Sequence, residues 1–217
     1  MLILAISTSS NTCSVSLLED EKCIKELNII NERTHSENLL PLIDKLFQET
    51  KLSLKDVNLI ACDNGPGSFT GIRIGVSTVK AMAETMHIPT VEVSSLEALS
   101  YNVNDVSKYI ITLIDAKNNQ VYCGIFNQNH ELQEEYIADD IFNVFKIASK
   151  YENTIYVGDG FEAHKELFKQ VQVYDSIVHS KNIGIGAYIK FKKGINQTAD
   201  EINPMYLRKS QAERMKK

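Results

Sequence analysis

The sequence predicts a duplicated α/β fold of two lobes, each a mixed sheet with a three-strand antiparallel meander plus helices. Three observations carry this. Strand-length apolar runs come in threes, once at the N-terminus and again after about residue 105. Each trio is followed by a helix-period segment and then by another strand. The two halves share almost no residues, so the repeat lies in the order of elements, βββαβ(α), and one irregular α/β domain is the alternative reading.

In order, "LILAIS" (2–7), "TCSVSLL" (12–18) and "CIKELNII" (23–30) are strands, joined by the turn-like "TSSN" and "EDEK". Thr34 followed three residues later by Glu37 is a capping-box signature for a helix over 34–50, in which Leu39, Leu40, Ile43, Leu46 and Phe47 recur at helical spacing. "VNLIAC" (57–62) is a buried strand, then come a glycine-rich loop and a long helix, strand "TVEVS" (90–94), and a short helix capped by Ser94 with Glu97. The second trio is "YIITLID" (109–115), "QVYCGIF" (120–126) and "LQEEYIA" (132–138). A helix near 140–150, strand "TIYVGD" (154–159), a helix over 161–170 and another near 183–193 follow. The expected lobes are 1–103 and 104–217, the second ending in a basic tail.

Composition narrows the function classes. The 217 residues are 43% hydrophobic and 24% charged, as in soluble globular chains, and the net charge of −5 argues against whole-chain attraction to nucleic acid or an anionic membrane. From Lys190 to Lys217 there are eight Lys/Arg against three acids, which suits either a solubilising tail or contact with RNA. Cys13, Cys23, Cys62 and Cys123 form no CxxC or Cys/His pair, so neither a metal nor a redox pair is expected, and a reducing cytoplasm is. The start lacks a signal-peptide pattern, and no run reaches the ~18 apolar residues of a membrane span.

The most informative stretch is "DNGPGSFTGIRIGVSTVKAMAE" (63–84). A Walker A loop needs Lys-Ser/Thr after its last glycine, and none follows here. Gly65, Gly67 and Gly71 approximate a dinucleotide fingerprint with Glu92 at the ribose-acid distance, but Pro66 occupies the tight turn and a meander precedes the unit. At ~100° per residue, Ile72, Val76, Val79, Ala83 and Met86 form a core stripe. Arg73, Lys80, Glu84 and His87 form a charged strip. The remaining arc, Gly71, Ile74, Gly75, Thr78, Ala81, Met82 and Thr85, is small or apolar and uncharged. The helix over 34–50 also has a wide apolar arc, ~160° against the ~100° a one-sided surface helix needs. Leu39, Leu42, Ile43 and Leu46 lie on it. The two helices either present a shared docking ridge or cover each other and the sheet.

"GPGSFTGIRIG" resembles the hallmark of the TsaB (YeaZ) family, with supporting matches in "LILAISTSSNTCSVSLL", "HSENLLPLI", "LIDAKNNQVYCGIF", "YVGDG" and "NPMYLR". The resemblance implies an actin-like (ASKHA) two-lobe fold and a cytoplasmic, non-catalytic subunit in threonylcarbamoyladenosine modification of tRNA. It implies pairing with the larger paralogue TsaD, or with itself, through the two helices just described, with the ATPase TsaE joining and tRNA met indirectly. The expected partner interface is therefore Leu39, Leu42, Ile43, Leu46, Gly71, Ile74, Gly75, Thr78, Ala81, Met82 and Thr85, with no catalytic, cofactor or metal residues. TsaD relatives carry H-x-x-x-H on the corresponding helix, whereas here Leu39 follows His35 by four residues. Ser7 stands where many TsaB relatives have Asp, and Lys117 and Gln120 replace the Arg and Glu of "DARxxEVY". Asp115 and Asp159 are either nucleotide-cleft acids or turn caps. Ser68 has no evident base and orienter, so peptidase chemistry is not expected. The competing reading is a stand-alone nucleotide- or dinucleotide-binding enzyme.

Overall fold

The computed structural model describes residues 1–30, 34–103, 108–167 and 174–208. They form two compact units, the first made of Met1–Ala98 and Val178–Met205, the second of Leu99–Ile177 and Tyr206–Lys217.

Unit one holds a five-stranded sheet in the order β3-β2-β1-β4-β5. β1 (Leu2–Ser7), β2 (Thr12–Glu19) and β3 (Lys22–Ile30) make the expected meander. β4 (Leu59–Asp63) and β5 (Thr90–Val93) are added in parallel. Alternation along the strands divides two apolar faces. On one, Leu4, Ile6, Val15, Leu17 and Ile60 meet α1 (His35–Thr50) and α2 (Phe69–Met86) in a single core. On the other, Leu18 receives α6 (Ser180–Lys192), where a side chain at Gly184 would come within 2.4 Å of Leu18 Cδ1.

α6 corrects the expected domain boundary. The continuous second lobe over 104–217 is not what the chain forms, because 178–205 belongs to unit one. The reason is the second apolar face: a sheet buried on both sides needs two layers, and α1 and α2 supply only one. A polar clasp fixes the returning segment. The Ser14 and Ser180 hydroxyls lie 2.7 Å apart, Ser180 N–H donates to Ser14 Oγ, and Glu26 accepts from Lys181 N–H at 3.0 Å and meets the His179 ring at 3.0 Å. Burial pushes the Glu26 carboxyl up, but the His179 hydrogen bond, the Lys181 N–H, the His179 charge and Asn28 outweigh it and hold it at about 2. Further along, Thr90 and Gln197 exchange backbone hydrogen bonds on the outer edge of β5.

Unit two repeats the plan with a four-stranded sheet in the order β8-β7-β6-β9. Its strands are β6 (Tyr109–Asp115), β7 (Gln120–Phe126), β8 (Ile137–Asp140) and β9 (Thr154–Val157). α4 (Ile141–Ala148) is capped by Asp140, whose carboxylate accepts from Phe142 N–H at 2.9 Å. β8 starts later than expected from "LQEEYIA", since Leu132 only bridges to Phe126. The helix expected over 161–170 is instead α5 (Asp159–Ala163) and a 3-10 turn at Lys165–Leu167, with 168–170 outside the described residues. Of the basic tail, Lys209, Arg214, Lys216 and Lys217 lie outside them too. Among the described residues no helix is long and apolar enough to cross a membrane.

Candidate functional site: the glycine loop and the groove between α1 and α2

The glycine motif runs from the end of β4 into α2, and its chemistry begins at Asp63, which is 1% exposed. Its Oδ2 accepts from the Ser7 hydroxyl at 2.6 Å and the Ser9 hydroxyl at 2.5 Å. Its Oδ1 accepts from the Ser95 hydroxyl at 2.6 Å and from Gly65 N–H at 2.9 Å. Burial holds this carboxyl above its ordinary range, and the four donors offset only part of that rise. The backbone completes the knot. Ser68 N–H donates to Ser9 C=O at 2.7 Å, and Ser95 N–H, at the start of α3 (Ser95–Ser100), donates to Gly65 C=O at 2.9 Å. Sequence reasoning passed over Asp63, although a carboxylate at the end of a wholly apolar strand is itself a signal.

The glycines of α2 turn inwards. A Cβ at Gly71 would stand 2.0 Å from Thr8 C=O, and one at Gly75 would stand 2.4 Å from Thr8 Oγ1. Thr8 Oγ1 donates to Gly71 C=O at 2.7 Å. The two glycines therefore let the helix press against the β1–β2 turn, so their place in the expected partner interface is corrected. Leu42, Ile43 and Leu46 are corrected likewise as a docking ridge: they are at most 4% exposed and belong to the unit's own core, whereas Leu39, equally buried, still lines the groove between the helices. The other expected interface residues remain at the surface. Ala81 and Thr85 are exposed, and Ile74, Thr78 and Met82 are partly exposed. Leu40, which was not assigned to the interface, is 56% exposed. Between the helices lies a groove of about 460 Å³ lined by Ser36, Leu39, Leu40, Thr70, Arg73, Ile74, Ser77 and Thr78.

The groups weighed for catalysis have structural partners. Ser68 Oγ caps α2 by accepting from Gly71 N–H at 3.2 Å. His35 Nε2 meets Ser10 C=O at 2.8 Å, so that nitrogen carries the proton. Glu92, the would-be ribose acid, accepts from Gln197 Nε2 at 2.8 Å and from Asn203 N–H. In unit two, Asp159 Oδ1 caps Asp115 N–H at 2.9 Å, and Asp115 receives Lys117 N–H and Nζ.

Known proteins with this sequence and fold decide the family. The family model described as "TsaD: tRNA N6-adenosine threonylcarbamoyltransferase" matches residues 29–215. The tRNA threonylcarbamoyladenosine biosynthesis protein TsaB of Bacillus subtilis is 32% identical over 177 residues, 79% of this chain and 76% of the relative. The chain belongs to the TsaB (YeaZ) family. A Pseudomonas aeruginosa structure described as similar to peptidase YEAZ superposes with a TM-score of 0.83 at 26% identity, covering 95% of this chain and 99% of that one. The actin-like fold is shared more distantly with the Clostridium difficile activator of 2-hydroxyisocaproyl-CoA dehydratase, at a TM-score of 0.53 and 11% identity. The transferase TsaD of Malacoplasma penetrans is 34% identical over 126 residues, but the match spans only 41% of its length. Within a TsaB chain, then, the glycine hallmark shapes the contact of α2 with the β1–β2 turn, and the groove beside it is the open surface.

Proposed function

We propose that this chain is a non-catalytic subunit of tRNA threonylcarbamoyladenosine formation that docks with TsaD through the groove between α1 and α2. The observation that carries the reading is that groove, open and mainly apolar beside two helices whose inner faces fill the core of unit one. Leu40 and Ile74 offer groove side chains whose burial contributes ~1.5–3 kcal/mol each before entropy is subtracted. Ser36, Thr70, Ser77 and Thr78 offer hydroxyls that a partner's polar groups can meet. The likeness of the chain to both TsaB and TsaD supports a paired assembly of related folds. In this reading TsaE joins the pair, tRNA is met through the partner, the compartment is the cytoplasm, and a second copy of the chain uses the same groove when TsaD is absent.

The test is association of the chain with its own TsaD, followed by light scattering. Leu40→Glu and Ser77→Glu place a carboxylate on exposed side chains that line the groove and lie outside the core, and both should weaken association more than tenfold with an unchanged melting temperature. Undiminished complex mass with both variants would overturn the reading. Gly75→Arg is not a fair probe, because it collides with Thr8.

A further inference from the structure

The groove between α1 and α2 is walled by rows of side chains four residues apart: Ser36 and Leu40 on α1, Thr70, Ile74 and Thr78 on α2, and Arg73 and Ser77 beside them. Rows of this kind receive the ridge of another helix. Their chemistry is divided. Leu39 and Leu40 on α1 and Ile74 on α2 make an apolar strip. Thr70, Arg73 and Ser77 make a row of exposed donors on α2. The Thr78 hydroxyl stays out of that row, because it donates to Ile74 C=O at 2.9 Å within the helix. Arg73 carries the single charge among the described residues that line the groove. We propose that the occupant is an amphipathic helix of TsaD that lays aliphatic side chains on Leu39, Leu40 and Ile74 and sets a carboxylate on Arg73. This rests on the docking reading above and adds the partner's chemistry to it.

The guanidinium keeps its charge at every physiological pH, so covering it with an apolar or cationic surface is costly. A carboxylate instead takes two parallel hydrogen bonds from the fork of the side chain. Thr70 and Ser77 stand three residues before Arg73 and four after it, on the same face of the helix, where their hydroxyls can donate to the lone pairs that remain. A free phosphate would meet the same donors, but it has no carbon to lay on the adjoining apolar strip. A second copy of this chain is the poorer match. Two-fold docking sets the same patch against itself, so each groove would bring a second Arg73 and, from its described lining, no acid.

Calorimetric affinity for TsaD is measured on the full chain for the parent and for Arg73→Lys, Arg73→Met and Arg73→Glu. Leu40→Glu serves as the docking control, and Lys146→Glu, on an exposed position of α4, repeats the charge reversal away from the groove. Arg73→Met keeps the stem and loses the charge, and it should weaken binding at least tenfold. Arg73→Lys should fall between it and the parent, since the charge remains and the fork is lost. Arg73→Glu should weaken binding at least a hundredfold, and one Asp→Lys or Glu→Lys variant among those on the helices of TsaD should restore it at least tenfold. Melting temperatures and the affinity of Lys146→Glu should match the parent's. Loss of binding in Leu40→Glu alone, with parental affinity across the Arg73 series, overturns the carboxylate and leaves the docking reading standing. Equal weakening by Lys146→Glu traces the effect to net charge and also overturns it. Loss of self-association in Arg73→Met with parental affinity for TsaD makes a second copy the occupant, against the proposal. Failure of the parent to bind TsaD overturns the docking reading itself.

Discussion

The loops after β4 and β9 occupy the same place in the two units, and they do different things. Each leaves a parallel strand beside the first strand of its own meander, and each presses a glycine onto that strand or the turn that follows it. A Cβ at Gly67 would stand 2.2 Å from Ser9 C=O, and one at Gly158 would stand 2.1 Å from Leu113 C=O. In unit two a single glycine separates β9 from α5, and Asp159 meets one backbone N–H at the end of β6. In unit one the loop runs from Asn64 to Ser68, reaches the β1–β2 turn, and launches an 18-residue helix. The difference teaches that the longer loop needs an internal anchor, which Asp63 provides, whereas the shorter one is held by its immediate neighbours. A helix stationed so firmly at its start can leave one flank uncovered and still keep its place.

The largest effect expected from breaking this contrast is at Gly71. Gly71→Ala puts a methyl group against Thr8 C=O, a rigid backbone atom 2.0 Å away. A loss of about 3–4 kcal/mol in chemical denaturation follows from overpacking at a site that cannot yield. Replacement at the solvent-facing Ser77 of the same helix should cost less than ~0.5 kcal/mol, and equal losses at both sites would dissolve the distinction.

A somewhat smaller effect concerns the segment that returns to unit one. Glu26 is held at about 2 by the His179 clasp, against about 4.3 in an unfolded chain. Because the folded value is the lower one, its contribution is complete above about pH 4.3 and is lost as the pH falls towards 2. It amounts to on the order of 3 kcal/mol. Glu26→Gln should therefore flatten the acid limb of stability between those values and lower stability at neutral pH. An acid limb identical to the parent's would assign the loss to other carboxylates.

The smallest effect sharpens the comparison from the side of unit two. Lys117 pairs with Asp115 at 2.6 Å, yet its side chain is 82% exposed. Lys117→Met should change stability by less than ~0.5 kcal/mol, since water and salt screen such pairs. A loss above 1 kcal/mol, roughly the ceiling for exposed pairs, would mean that this hairpin is anchored as tightly as the glycine loop of unit one.

Much of the fold was legible in the residues. Thr34 and Glu37 mark the start of α1, and the structure keeps their bond, with Thr34 N–H donating to Glu37 Oε2 at 3.1 Å. Apolar runs bounded by turn residues located β1, β2, β6 and β7 closely, because these strands are buried along most of their length. β8 was harder, since its four residues are only partly buried and its neighbours Glu134 and Glu135 carry no strand signal. The candidate site was half legible. A helical wheel identified the uncharged arc of α2, but it cannot tell an arc covered by a distant turn from one left open. Gly71 and Gly75 fell to the first case, and Ala81, Met82 and Thr85 to the second.

By itself, then, the chain's order of residues determined the element sequence, the duplication, the family hallmark and the caps, all of which depend on neighbours within a few positions. Tertiary structure alone decided three things: that α6 crosses back to cover the first sheet, that Asp63 gathers the hydroxyls of Ser7, Ser9 and Ser95 at one buried junction, and which side of α2 faces water. Each depends on groups brought together from more than fifty positions apart, or on which surface a remote element happens to fill, and no local periodicity carries that information.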